Sequence, residues 1–80
     1  MVLNPGALAH QSYALRDAVE ACSAPVIEVH MSNIAARESW RAHSIISPAV
    51  KGTVQGLGPV SYLAALRGLV EMLRESEAAA

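Results

Sequence analysis

The chain has 80 residues, room for one domain, and a chain this short buries only about 60% of the surface its unfolded form exposes. With 52% hydrophobic residues, 16% charged residues and a net charge of −1, its composition is that of a globular domain, with no electrostatic case for nucleic acid or an anionic membrane surface. The opening "MVLNPG" lacks the basic start and apolar core of a signal peptide, no apolar run approaches the roughly 20 residues of a membrane span, and the single cysteine, Cys22, cannot close an internal disulfide, which fits a reducing, cytoplasmic compartment.

"MVLNPG" reads as the end of a strand, broken by the turn residues Asn4-Pro5-Gly6. From Ser12 the period changes. Leu15, Ala18, Val19 and Cys22 recur at helical spacing, with Ser12 placed to cap a helix over 12–22 and Pro25 to stop it. "PVIEVH" is a second strand. Residues 31–50 form a long connection with a short helix around "AARESWR", and "GTVQGLG" is a third strand bounded by glycines. Pro59 then opens a helix on which Tyr62, Leu63, Leu66, Leu69, Val70 and Leu73 form one wide apolar face. The tail "ESEAAA" is expected to fray.

Strands alternating with helices predict an α/β domain with a parallel sheet, about three strands and two main helices. Such sheets bind ligands outside the carboxyl ends of their strands. Asn4, His30 and the Gly56-Leu57-Gly58 turn all fall there. Glu28 and His30 are two residues apart on a strand and therefore share a face. A carboxylate beside an imidazole can fix its tautomer and favour its protonated form, which suits a general acid. The bland alternative is a buried, hydrogen-bonded structural pair.

Other chemistry has weak support. "GLGPVS" after a strand lacks the third glycine and the following acidic residue of a dinucleotide-binding fingerprint. His10, His30 and His43 lack ligand-pair spacing, and Cys22 stands alone, so no metal site is expected.

Three blocks, "NPGALAHQSYALRDAV", "PVIEVHMSNIAARESWRAHSIISP" and "GLGPVSYLAAL", together resemble the type II 3-dehydroquinate dehydratases over about residues 2–73. The resemblance covers the second half of that family's pattern, so residues 1–80 would be the C-terminal portion of a single domain. It implies a flavodoxin-like three-layer fold in which this chain supplies the last three of five parallel strands. It also implies removal of water from 3-dehydroquinate through an enolate, in the shikimate pathway, without metal or organic cofactor. On this reading His30 is the general acid and Glu28 its partner. The backbone of Met31 and Ser32 binds the substrate carboxylate, and Asn4, His10 and Arg41 contact its hydroxyl groups. Asp17 reaches a neighbouring subunit's site in a homo-oligomer, commonly a dodecamer in the family. Read without the resemblance, Asn4 is a turn residue before Pro5, His10 and Arg41 are surface residues, Asp17 lies on a solvated helix face, and Ser32 or Asn33 caps the next helix. Arg37 and Glu38 read as structural charges of that helix, and Tyr13 and Tyr62 as helix positions.

The family's base, a lid tyrosine, belongs to the half of the pattern that is not matched, so this chain alone is expected to be inactive. Ala35 and Trp40 depart from the histidine and phenylalanine that family members often carry. The competing reading is a degenerate, non-catalytic homologue that acts through assembly or binding.

Overall fold

A computed structural model describes residues 1–79. Three parallel strands, β1 (Val2–Leu3), β2 (Ile27–His30) and β3 (Gly52–Gln55), form one sheet in the order β1-β2-β3. Between β1 and β2 lie a 3-10 turn, Gly6–His10, and helix α1, Tyr13–Ala21. Between β2 and β3 lie a 3-10 turn at Ile34–Ala36, the four-residue helix α2 (Ser39–Ala42) and another 3-10 turn at Ser47–Ala49. Helix α3, Val60–Ala79, closes the chain.

Local chemistry sets several of these limits. Ser12 Oγ accepts the Leu15 N–H at 3.1 Å, capping α1 as its sequence predicts. The predicted helix at "AARESWR" is instead two short pieces separated at Arg37 and Glu38, which adopt extended dihedrals. The third strand ends at Gln55, earlier than expected, because Gly56 turns the chain with φ 87°.

Strand β2 is buried along its whole length, as the central strand of a sheet covered on both faces should be. Its alternation sorts the side chains. Ile27 and Val29 pack with Ala65 and Leu69 of α3, joined by Val2 and Val54. On the opposite face a second core forms from Ala9, Ile45 and Ile46, with Leu3 and Leu15 against it.

Helix α3 corrects two expectations. It turns Ser61, Ala65 and Leu69 to the interior, at i, i+4 and i+8. Tyr62, Leu63, Leu66, Val70 and Leu73, expected on the same apolar face, are exposed. Of the expected face only Leu69 is buried, in line with the small residues Ser61 and Ala65, and the other bulky residues are left on the outer side. The tail does not fray at Glu75, since α3 runs through Ala79. The turns at 6–10 and 47–49 carry no strong periodic signal in the sequence.

Candidate active site

The parallel register brings the functional groups to the carboxyl ends of the strands. Leu3 pairs with Glu28, and His30 with Gln55, so Asn4 and Gly56 come directly after them at that end. There a cleft of about 310 Å³ is lined by Asn4, Gly6, Ala7, His10, His30, Met31, Ser32, Ile34, Arg37 and Arg41.

Glu28 and His30 are 1% and 6% exposed, and His30 Nε2 lies 2.5 Å from Glu28 Oε2. Both carboxylate oxygens are occupied. Ser44 Oγ donates to Oε2 at 2.9 Å and Ser47 Oγ to Oε1 at 2.7 Å. A buried carboxylate is tolerable only when its lone pairs are met in this way. The acceptor beside Nε2 makes that nitrogen a proton carrier, and Nδ1 is left as the ring atom free for a ligand. His30 lines the cleft, so the pair meets the geometric requirement for an oriented acid.

His10 stacks on His30 with ring centroids 6.3 Å apart and planes 25° from parallel. Its Nδ1 donates to the His43 carbonyl at 2.8 Å, which leaves Nε2 unbonded by protein. Trp40 packs edge-on against His10 at 5.4 Å, and the Arg41 guanidinium lies 4.1 Å from the Trp40 ring centre. Arg41 Nε sits 2.7 Å from Glu38 Oε2, an ion-pair distance without hydrogen-bond alignment. Glu38's carboxyl is held below its ordinary range by a hydrogen bond from its own backbone N–H, with Arg41 and Arg37 adding favourable charge against some desolvation. Arg41 is thereby paired at neutral pH, with its guanidinium fixed between an aromatic face and a carboxylate.

Six of the eight residues singled out from the sequence line this cleft: Asn4, His10, His30, Met31, Ser32 and Arg41. Glu28 stands behind His30 in a neighbouring cavity of about 120 Å³ that also includes Ser44, Ser47, Thr53 and Gln55. Asp17 lies exposed on α1 and does not line the cleft of its own chain. Asn33 caps the 3-10 turn through the Ala35 N–H at 3.1 Å, and Gln55 Oε1 accepts the Ile34 N–H at 3.2 Å.

Sequence reasoning missed four participants. Arg37, read as a structural charge, lines the cleft and reaches Ser32 Oγ at 3.4 Å. Ser44 and Ser47 hold Glu28; their signal was the pair of hydroxyls in "HSIISP", which has no meaning until the loop folds beneath β2. Tyr62, read as part of an apolar helix face, accepts a hydrogen bond from Asn4. Among the described residues no group of three or more His, Cys, Asp or Glu is placed to hold a metal ion, and no helix is long and apolar enough to cross a membrane.

The sequence model of the family described as Dehydroquinase class II matches residues 1–70. A 3-dehydroquinate dehydratase of Thermus thermophilus is 56% identical over 73 residues, 91% of this chain and 49% of its own length. That of Bacillus subtilis is 56% identical over 70 residues, 88% of this chain and 47% of its own. The crystal structure of a type II dehydroquinase from Propionibacterium acnes superimposes with a TM-score of 0.82 at 51% identity, covering 85% of this chain and 50% of that one. The chain thus spans about half the length of the curated relatives it matches.

Proposed function

Because the chain belongs to the class II dehydroquinase family, we propose that it forms the acid and substrate-binding side of a 3-dehydroquinate dehydratase, as the C-terminal portion of one domain. The observation that carries this reading is the buried Glu28–His30 pair opening onto a cleft rich in hydrogen-bond donors.

The reaction removes a proton next to the substrate ketone, passes through an enolate and expels a hydroxyl group as water. Hydroxide is a poor leaving group, so proton donation at its oxygen is where an acid helps most. His30 donates that proton from Nδ1. Glu28 holds Nε2–H and balances the imidazolium charge, with Ser44 and Ser47 keeping its carboxylate in place. The Met31–Ser32 backbone, at the end of β2, offers N–H groups to the substrate carboxylate. Arg41, His10 and Asn4 supply donors for its hydroxyl groups, around a cleft large enough for a six-membered ring with substituents.

The proton-abstracting base is assigned to the part of the relatives that this chain does not match, by the family resemblance. Within the chain Tyr13 is exposed on α1, and Tyr62 is bonded to Asn4. Asp17, exposed on α1, is assigned to a neighbouring copy's site, and the uncovered apolar residues of α3 fit burial against further protein. A homo-oligomer acting in the shikimate pathway of the cytoplasm completes the reading. It involves no nucleic acid or membrane and no cofactor.

The test joins the chain behind the N-terminal half of its Thermus relative and monitors the ultraviolet absorbance of the conjugated product. Turnover that disappears in His30→Ala supports the reading. A folded hybrid that turns over no 3-dehydroquinate, or one indifferent to His30, overturns it.

A further inference from the structure

We propose that Tyr62 is a positioning residue: its hydroxyl locks the Asn4 carboxamide so that the cleft presents one donor and one acceptor to a ligand's hydroxyl groups. The inference deepens the functional reading above and rests on it for the identity of the ligand.

Both ends of the Asn4 side chain are engaged. Asn4 Oδ1 accepts the Gly6 N–H at 3.0 Å, and Asn4 Nδ2 donates to Tyr62 Oη at 2.6 Å. A carboxamide can be turned end for end, and its neighbours decide which way it lies. Gly6 supplies a backbone donor, which only Oδ1 can receive. Nδ2 is therefore the end turned to Tyr62, whose oxygen accepts. The two partners come from distant parts of the chain. Gly6 begins the turn after β1, with φ 58°, and Tyr62 lies in the first turn of α3, 58 positions beyond Asn4. The carboxamide is thus held by a local turn on one side and by a separate helix on the other.

The remaining capacity determines the ligand chemistry. A carboxamide has two N–H donors and two lone pairs on its oxygen. One of each is occupied, so one N–H and one lone pair remain at the edge of the cleft that Asn4 lines. A hydroxyl group both donates and accepts, and two adjacent hydroxyls can meet both groups together. A ketone or an ether oxygen can only accept and leaves the Oδ1 lone pair unmet. The locked carboxamide therefore favours a polyhydroxylated ligand. An Asn4 freed to rotate could present either end, and part of the binding energy would be spent on fixing it.

A residue that merely supports the fold would weaken every ligand of the cleft alike. Tyr62 should act only on ligands that carry hydroxyls. The experiment titrates the hybrid described above with quinate, a carboxylate bearing ring hydroxyls, and with cyclohexanecarboxylate, the same ring without them. The Asn4 side-chain amide is tracked by NMR. In Tyr62→Phe, which keeps the ring, the Asn4 Nδ2 protons should move and exchange faster with water. Quinate affinity should fall roughly three- to tenfold, the range for one positioning hydrogen bond, and cyclohexanecarboxylate affinity should hold. In an Asn4→Ala background, Tyr62→Phe should have no further effect on quinate.

An unmoved Asn4 amide in Tyr62→Phe overturns the lock itself. Equal losses for both carboxylates, or additive losses in the double variant, overturn its role in selecting hydroxyls. Quinate that moves no cleft resonance in the unaltered hybrid overturns the functional reading and the selectivity with it, whatever the Asn4 amide shows.

Discussion

Replacing Glu28 by alanine removes the common acceptor of three buried or half-buried donors, and the cost can be worked from their environments. His30 is 6% exposed, so its Nε2–H would lose its buried partner and could recover at most a water of the neighbouring cavity, at about 1–3 kcal/mol. Ser44 and Ser47 are half-buried and can re-aim, which puts their combined loss at about 1–2 kcal/mol. The total of about 2–5 kcal/mol is large against the ~4–12 kcal/mol expected of a domain this size. Glu28→Gln is different. It keeps the volume, one oxygen for the His30 N–H and an N–H for a serine oxygen, so only the charge assistance is lost, at about 1 kcal/mol. Urea unfolding monitored by circular dichroism at pH 7 measures both variants, with equal slopes required before the midpoints are compared. Thermal midpoints should separate the two by at least ~4 °C, given about 4–8 °C per kcal/mol at this length. A glutamine variant as damaged as the alanine variant would refute the reasoning, because it would mean that charge alone, and not acceptor geometry, holds the network. An alanine variant with an unmoved midpoint would refute it as well.

In the hybrid enzyme, His30→Ala should lower kcat by roughly 10²- to 10⁴-fold with a much smaller change in KM, and near-normal turnover would remove His30 from the acid role. A crystal of the hybrid with quinate should place the carboxylate at the Met31–Ser32 turn and Arg41 against the ring hydroxyls; a carboxylate seated at another strand end, or an Arg41 turned outward, would contradict the assignment. Leu69→Ala should cost about 2–4 kcal/mol and Leu66→Ala under about 1 kcal/mol in urea unfolding of the monomeric chain, and the reverse order would show that α3 is turned about its axis. The 80-residue chain alone should show no enzymatic dehydration of 3-dehydroquinate, since a missing positioned base costs roughly 10²- to 10⁴-fold; turnover matching the hybrid would mean that a residue of this chain or of a second copy serves as base.

What the sequence disclosed and what it withheld divide along physical lines. Periodic signals worked where one force dominates. The Ser12 cap, the fully buried β2 and the parallel α/β order come from capping chemistry, hydrophobic runs and element alternation. The shared face of Glu28 and His30 comes from the two-residue period of a strand. Helix α3 misled because it carries apolar residues on more than one side. The larger side chains gave the stronger periodic signal, whereas the row that meets the sheet is Ser61, Ala65 and Leu69, two of them small residues that the signal passed over. Arg37, Ser44, Ser47 and Tyr62 were illegible for another reason. Each acts through a partner distant in sequence or across a loop, and no periodicity encodes such a meeting. The resemblance named most of the cleft's residues, but it did not name the hydrogen bonds that hold them.

The site depends on register more than on any single side chain. Strand β1 has two residues and β2 and β3 four each, so few ladder bonds fix the alignment. A slip of one residue in β2 would exchange its faces. Glu28 and His30 would move into the core with Ala65 and Leu69, and Ile27 and Val29 toward Ser44 and Ser47. Two charged or polar groups would then lie unpaired beneath α3, which is far costlier than any ladder bond gained. The buried Glu28–His30 pair therefore helps to specify the fold that presents it. Beyond the strands, Gly56 N–H donates to the His30 carbonyl at 3.1 Å and Gly58 N–H to the Met31 carbonyl at 2.8 Å, which continues the pairing of β2 and β3 into the turn. Both glycines have positive φ, and a Cβ on Gly56 would lie 3.5 Å from that of Asn33, so the turn needs glycine for its backbone angle more than for space. These bonds fix the end of β2 at the residues that face the cleft. The position of His30 is thus set from both sides, by Glu28 through its side chain and by the Gly56–Gly58 turn through its backbone, and a side chain held in that way has little freedom left to lose in the acid role proposed for it.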